Sequence, residues 1–310
     1  MPRVLVTGGA GFIGSHLCNA LVCEDSNSVI SLDNLRSGDW GRVDDSVERV
    51  ECDIAELGIE GWVRLLEGVD VVYHLAAEKY NSSKSTPEKL ILSNVQATER
   101  LARAAALVEV KRVVFTSSLY VYGSVGPNAM KEEDECRPDT LYGASKLMGE
   151  GILRSVSRQT GISWNVARLF FVYGPKQFAQ GGYKSVIVSN FERLKSGKAP
   201  IIRGDGCQAL DYVYIDDCVA GLRAMANSTV DKQVTNIASG IPISINRLTE
   251  KMIEISKSGA NPTREEPDWT EGTSRWGSTD NALSRFNFKC KTPILEGLEN
   301  TLDWMKLNGS

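Results

Sequence analysis

The stretch VTGGAGFIGSHL, residues 6–17, decides how this chain is read. It joins a short apolar run, RVLVTG (3–8), to an amphipathic segment, FIGSHLCNALVCE (12–24). That is the junction of a buried strand with a helix. Gly9, Gly11 and Gly14 satisfy G-x-G-x-x-G, and Gly8, Gly11 and Gly14 satisfy G-x-x-G-x-x-G. Glycines at such a junction permit a tight turn and let the backbone close on a pyrophosphate, while the first N–H groups of the helix face the anion. A glycine loop alone is a weak signal. Its place after a strand and before a helix makes it informative.

A dinucleotide site also needs an acid about 20 residues further on, at the end of the second strand. Asp33 closes the run SVISLD (28–33) and meets that condition. A carboxylate there accepts hydrogen bonds from the adenosine ribose and repels a 2′-phosphate, which favours NAD over NADP. Arg36 argues the other way, because a nearby cation accepts a 2′-phosphate. Asp53, in ECDI (51–54), stands where it can hydrogen-bond an adenine amino group.

Outward from this unit, strand and helix signals alternate. VERVECDI (47–54), VDVVYHLAA (69–77), KRVVFTSS (111–118) and SWNVARLFFVYG (163–174) read as strands. NVQATERLARAAALVE (94–109) and TLYGASKLMGEGILRSVSRQT (140–160) read as helices. β-branched runs bounded by Gly, Asp and Ser, with helices between them, predict an α/β fold with a parallel sheet covered on both faces. After YGPK (173–176) the rhythm breaks. A helix over 184–198 and a short strand and turn over 199–206 precede two Pro-marked segments, so the last third predicts a smaller, less regular unit beside the sheet. DYVYIDDCVAGLRAMA (211–226) and QVTNIASG (233–240) are candidates to return to the main sheet. There is no internal repeat and no low-complexity tail.

Composition narrows the chemistry. The 310 residues are 42% hydrophobic and 24% charged, ordinary values for a soluble globular chain long enough for one large or two smaller domains. A formal charge of −4 argues against nucleic acid or an anionic membrane surface as partner. No apolar run approaches the roughly 18 residues needed to span a bilayer, and the N-terminus carries no leader pattern. The seven cysteines are scattered, with no C-x-x-C pair, and predict free thiols in a reducing compartment, the cytoplasm. With only two histidines, His16 and His74, a His-rich metal site is excluded, and acid–base work falls to Tyr, Lys, Asp or Glu.

LYGASK (141–146) supplies such a pair. One helical turn brings Lys146 alongside Tyr142. A free phenol titrates at about 10, so work near neutrality needs a depression of roughly 3 units, or about 4 kcal/mol. An ammonium neighbour has the right sign to stabilise the phenolate, helped by the positive nicotinamide of NAD⁺. Ser117 and Ser118 end the preceding strand, where a parallel sheet opens its cofactor crevice, and a hydroxyl there can hold a substrate oxygen and relay its proton.

Taken in order, TGGAGFIGSHL, LDNL, CDI, YHLAA, NVQAT, TSSLYVYG, LYGASK, RLFFVYGP, GDG and GLENTLDW resemble the extended short-chain dehydrogenase/reductases of the NAD-dependent epimerase/dehydratase family, over nearly the whole chain. The resemblance implies a Rossmann-type doubly wound parallel sheet over residues 1–174, with returning segments near 211–240, and a smaller α/β substrate domain mainly over 175–310. It implies Ser118, Tyr142 and Lys146 as the catalytic trio. It places the cofactor against Gly8, Gly11, Phe12, Ile13, Gly14, Asp33, Asn34, Asp53, Ile54, Leu75, Ala76, Ala77, Lys79 and Phe171, as well as Tyr142 and Lys146. His74 matches an architectural position. The implied substrate is a nucleotide sugar, and the implied assembly a homodimer through helices 94–109 and 140–158.

The pattern departs from the family at the substrate end. Dehydratases of the family carry Asp-Glu after the catalytic hydroxyl residue, where this chain has Leu119 and Tyr120. No carboxylic acid is there to protonate a leaving hydroxyl, which disfavours 4,6-dehydration; family decarboxylases keep a Glu at the Tyr120 position. Val172 replaces an Asn that holds the sugar nucleotide, and Leu210 replaces an Arg that grips the diphosphate. Lys184, Arg193, Arg203 and Arg275 are the candidate replacement cations, with Arg275 the leading one. The expected activity is epimerisation of a nucleotide sugar at C4 through transient oxidation, with NAD retained. The rivals are a net sugar oxidoreductase, such as a 4-keto-sugar reductase, and a non-catalytic NAD-binding regulator.

Overall fold

The structure, a computed structural model, describes residues 1–23, 27–124, 126–177 and 184–308. Glu24, the last residue of the first expected helix, lies outside them. Along the chain run β1 (Arg3–Thr7), α1 (Phe12–Cys23), β2 (Ser28–Asp33), β3 (Glu48–Glu51), α2 (Ile59–Leu66), β4 (Val71–His74), α3 (Ser82–Ser85), α4 (Pro87–Ile91), α5 (Ala97–Leu107) and β5 (Arg112–Ser118). Then follow α6 (Leu141–Thr160), β6 (Trp164–Leu169), β7 (Phe171–Tyr173), α7 (Val186–Lys195), β8 (Ile201–Arg203), β9 (Ala209–Tyr214), α8 (Ile215–Asn227) and β10 (Gln233–Ile237). The chain ends with β11 (Pro242–Ser244), α9 (Ile245–Ser256), β12 (Thr263–Glu265), β13 (Ser274–Arg275), α10 (Asp280–Phe286) and α11 (Ile294–Leu307).

Seven strands form the central sheet in the order β10-β6-β5-β4-β1-β2-β3, every neighbouring pair parallel. The strand order reverses direction between β1 and β4. In an open α/β sheet that crevice, at the carboxyl ends of the strands, is where ligands bind. Alternation along each strand feeds two cores: Val4 and Val6 point to the one shared with Leu17 and Leu222, while Leu5 points to the one shared with Trp62 and Leu101. Burial on both faces is why these strands read as continuous apolar runs.

The expected single strand over 163–174 breaks at Phe170. Its N–H turns to the carbonyl of Ile237 at 3.2 Å, and the chain leaves the central sheet. β7 pairs instead with β9, which also pairs with β11 and β13 in a second, mixed sheet. Of the two segments that were candidates to rejoin the main sheet, the strand part of the first does not, whereas β10 lies at its edge against β6.

Two helices prepare the site. Thr140 caps α6, its Oγ1 accepting from Gly143 N at 3.0 Å. Gly161, in the left-handed region at φ 83°, closes the helix with its N–H on Ser157 O. Lys146, Gly149, Glu150, Leu153 and Ser157 repeat at helical spacing and form the buried stripe. α4 and α5 are joined without a break by a π-helical turn, Leu92–Gln96, which carries the buried Asn94. Such turns cluster at functional sites.

Candidate active site

The glycine loop is held by its own backbone. Gly8 N and Gly9 N both donate to Leu32 O, at 2.7 and 3.3 Å. Gly8 sits at φ 70°, and a Cβ on it would lie 2.9 Å from Ala76 N, so a side chain would push away the loop after β4. A Cβ on Gly14 would stand 2.0 Å from Gly8 O. The first turn of α1, from Phe12, therefore packs directly on the loop and aims its free N–H groups into the crevice.

Asp33 lies beside this cradle. Its Oδ2 accepts from Ala10 N at 3.0 Å and its Oδ1 from Leu35 N at 2.8 Å, and burial raises its pKa against those bonds. The backbone N–H groups of Gly11 and Asn34 also act on this carboxylate. Asn34 turns its Oδ1 to Arg36 N at 3.2 Å. The Arg36 guanidinium bridges two carboxylates, pairing with Asp53 at 2.8 Å and with Glu78. The cation that could have welcomed a 2′-phosphate is thus already shared between two anions. Asp53 Oδ1 also accepts from Ala55 N at 3.0 Å, and Ile54 beside it is buried. The residues present fit a dinucleotide with a free ribose: a glycine cradle whose loop leaves no room for a Cβ, a helix N-terminus and an acid at the end of the second strand.

His74 ties the loop after β4 to the rest. Ala76 N donates to Thr7 Oγ1 at 3.1 Å, Thr7 Oγ1 lies 2.8 Å from His74 Nδ1, and His74 Nε2 lies 2.9 Å from Thr98 Oγ1. Because Thr98 donates to Asn94 O at 2.8 Å, it accepts from Nε2–H, and Nδ1 accepts from Thr7. Burial holds the imidazole neutral, its pKa lowered to about 3. Asn94 continues the chain: its Nδ2 donates to Glu78 O and to Ser145 Oγ, both at 3.0 Å, and Ser145 donates to Tyr142 O at 2.7 Å. Leu75, Ala76 and Ala77 are half-buried along this loop, and the exposed Lys79 follows them.

Tyr142 and Lys146 stand one turn apart on α6, and the Tyr142 hydroxyl is hydrogen-bonded to Ser118 at the end of β5. Ser118 also caps the turn that follows, accepting from Tyr120 N at 3.3 Å. Lys146 Nζ donates to Thr116 O at 2.8 Å and lies 4.9 Å from the Phe115 ring and 6.0 Å from the Tyr142 ring. Burial pushes the phenol up to about 12, against the Ser118 bond, and the ammonium down to about 7. The expected depression of the phenol is therefore not supplied by the side chains alone. Desolvation dominates at both positions, and both groups are pushed toward their neutral forms.

At the substrate end, Leu119 is packed in the core, and Tyr120 is half-buried against it, beside Tyr142. The Tyr120 ring meets Tyr142 edge-to-face at 5.7 Å, Tyr80 stacked at 5.5 Å and Trp269 at 5.5 Å. The sequence singled out Tyr120 only for the acid it lacks; Tyr80 and Trp269 were not anticipated. Val172 is half-buried on β7, its carbonyl accepting from Gln177 Nε2, and Phe171 beside it packs on Tyr212 at 5.9 Å. Leu210 is buried in the second sheet. Of the replacement cations, Lys184 pairs with Glu192 at 2.7 Å, Arg193 donates to Ala199 O at 2.6 Å, and Arg203 lies 3.5 Å from Glu265. Arg275 differs. It is buried, its Nη1 donates to Gly123 O at 3.4 Å, its Nε has no hydrogen-bond partner among the described residues, and Tyr120 and Asp139 act on its charge. Its guanidinium lies 5.2 Å from the Trp269 ring. Among the described residues, no group of three or more His, Cys, Asp or Glu is placed to hold a metal ion, and no helix is long and apolar enough to cross a membrane.

The family model for the NAD dependent epimerase/dehydratase family matches residues 4–238. The chain belongs to that family. Among its family relatives, UDP-glucose 4-epimerase of Mycolicibacterium smegmatis is 30% identical over 98% of each chain. UDP-glucose 4-epimerase of Thermotoga maritima, solved with UDP-glucose, superposes with a TM-score of 0.94 at 29% identity, covering 99% of this chain and 100% of that one. UDP-glucuronic acid 4-epimerase of Bacillus cereus, solved with UDP-glucuronic acid and NAD, gives 0.89 at 27% identity over 98% and 99% of the two chains.

Proposed function

We propose that the protein is an NAD-dependent nucleotide-sugar 4-epimerase. One observation carries this reading: Tyr142, Ser118 and Lys146 converge at the open end of the sheet beside the dinucleotide cradle, with Tyr120 where a dehydratase of the family keeps a carboxylic acid. Its relatives in sequence and structure support the same activity. The cofactor-facing role belongs to residues 1–174 with β10, and the sugar-facing role mainly to 175–310.

Bound NAD supplies a positively charged ring that accepts hydride and gives it back. The chain's residues do the rest. Ser118 holds the sugar oxygen, and Tyr142 takes the proton from the C4 hydroxyl and later returns it. Lys146, one turn away, offsets the phenolate charge in a pocket that water barely reaches. Arg275, buried and with its Nε unbonded among the described residues, holds the diphosphate that Leu210 cannot grip. The network from Thr7 through His74, Thr98, Asn94 and Ser145 keeps the cofactor loop and the Tyr142 backbone in register.

We place the enzyme in the cytoplasm, a reading supported by seven free thiols. We also propose a homodimer through α5 and α6, where Leu107 and Met148 are exposed beside a groove of Ala106, Ile152 and Val156. The deciding experiment is Tyr142→Phe. It is expected to lower kcat by about 10²–10⁴-fold, the usual worth of a positioned acid–base group, while NAD affinity is retained. Unchanged turnover, or stoichiometric NADH accumulation by the unaltered protein, overturns the reading.

A further inference from the structure

Arg36 ties together the loops that follow β2, β3 and β4, the loops that face the adenosine half of a dinucleotide. It stands three residues after Asp33, the acid expected to meet the ribose hydroxyls. Its guanidinium spans from Asp53 Oδ2, at 2.8 Å, to Glu78 Oε1. An arginine near that acid is the usual acceptor of a 2′-phosphate. The chain thus carries an acid that suits NAD and a cation that suits NADP, and what decides between them is how Arg36 is held. The Arg36 side chain is 46% exposed at the rim, whereas those of Asp53 and Glu78 are 12% and 18% exposed. Neither acid is free to follow the cation outward. Asp53 Oδ1 is fixed on Ala55 N at 3.0 Å. Asn94 clamps the Glu78 backbone, its Oδ1 accepting from Glu78 N at 2.8 Å and its Nδ2 donating to Glu78 O at 3.0 Å.

We infer that Glu78 is the residue that sets the choice of dinucleotide: it holds Arg36 off a 2′-phosphate, and without its charge the site also takes NADP. The inference rests on the dinucleotide reading of the glycine cradle. As the chain stands, Asp33, Asp53 and Glu78 place three carboxylates around one guanidinium, so a phosphate dianion brought there meets like charge and a cation already shared. Removing one carboxylate eases the repulsion and frees one edge of the guanidinium for two parallel bonds to phosphate oxygens. Asp53 also faces the adenine, so Glu78 is the anion that can be neutralised without removing an expected cofactor contact. Lys79 is the other cation of this region, with Asp33, Glu78 and Arg42 acting on its charge. A phosphate taken by Lys79 would not need Arg36, so the two cations are separable by mutation.

The test is displacement of radiolabelled NAD from the loaded full-length protein by unlabelled NAD or NADP, at low ionic strength, where exposed charges are least screened. The unaltered protein is expected to need at least about 100-fold more NADP than NAD, the scale of a like-charge juxtaposition. Glu78→Gln keeps the shape and removes the charge. It is expected to lower that ratio about tenfold, the worth of a charge-assisted bond, with NAD affinity changed by less than about threefold. Adding Arg36→Gln to Glu78→Gln is expected to restore the ratio. Should Glu78→Gln lose NAD, Glu78→Ala takes its place, and loss of NAD in both overturns the inference. So does equal displacement by NADP and NAD from the unaltered protein, or an unchanged ratio in the Glu78 variant. A gain that persists in the double variant assigns the phosphate to Lys79 and overturns it too. A protein with the expected ratios that converts no nucleotide sugar supports the inference and instead overturns the assigned reaction.

Discussion

Arg168 and Arg275 are both buried, at 4% and 7% exposure, yet their surroundings are opposite. Arg168, on β6, meets Glu150 of α6 through two bonds: Nε to Oε1 at 3.0 Å and Nη2 to Oε2 at 2.8 Å. Ser117 donates to the same carboxylate at 2.6 Å, and the Tyr122 ring covers the guanidinium at 4.7 Å. Burial works against this charge, but Glu150 more than offsets it, and Arg168 holds its proton more tightly than usual. Arg275 has an aromatic face and one carbonyl, and Asp139 acts on its charge from beyond ion-pair distance. A buried ion pair with all its bonds made is scaffold; a buried cation whose bonds are missing is half of a binding site. Lys146 is a third case. It too makes no ion pair among the described residues but, unlike an arginine, can lose its proton.

The largest expected difference between these regions is in stability. Glu150→Ala strands Arg168 in the interior and is expected to lower unfolding free energy by about 3–5 kcal/mol, measured in urea, with little change in KM of the folded protein. Arg275→Ala should do the reverse. Removing a buried charge that makes no ion pair among the described residues is expected to leave the urea midpoint unchanged or raised, while KM for the nucleotide sugar rises about 10–100-fold, the worth of a charge-assisted bond. If Arg275→Ala destabilises as much as Glu150→Ala and leaves KM alone, the contrast is false. The most gradual effect concerns Lys146. Its pKa is lowered from 10.5 to about 7 by burial, so above about pH 7 the unfolded chain binds more protons than the native one. Stability should therefore rise with pH between about 7 and 10.5, by at most about 1.4 kcal/mol per pH unit, and Lys146→Met should lack that rise. Parallel pH curves for the two proteins would show that Lys146 is not desolvated.

What could be read without coordinates follows the range of each interaction. The glycine junction with Asp33 belongs to one strand–loop–helix–strand unit, and the Tyr142–Lys146 spacing to a single helical turn. Local pattern carries both. The break at Phe170 could not be seen, because SWNVARLFFVYG carries β-branched and aromatic residues on both sides of it, whichever sheet each half joins. β9 and β10 were equally eligible for the main sheet for the same reason. The π turn at Leu92–Gln96 leaves no signature in residue type, yet it aims Asn94 at Ser145. The aromatic cluster around Tyr120 unites residues 80, 120 and 269, and no spacing rule connects them. Arg275 could be nominated as a cation, but only its surroundings reveal that its Nε is unbonded among the described residues. The phenol illustrates a different limit: charge neighbours can be inferred from spacing, but desolvation depends on everything packed around them.

The position of β10 has a consequence for synthesis. β6 is complete at Leu169, but the strand that covers its outer side begins only at Gln233. A ribosome adding roughly 5–20 residues per second leaves that row of backbone groups uncapped for several seconds. During this interval the nascent sheet offers a ready template to any passing extended segment. Chaperone dependence, and a tendency of truncated chains to clump, would originate at this seam rather than in the chemistry of the cleft.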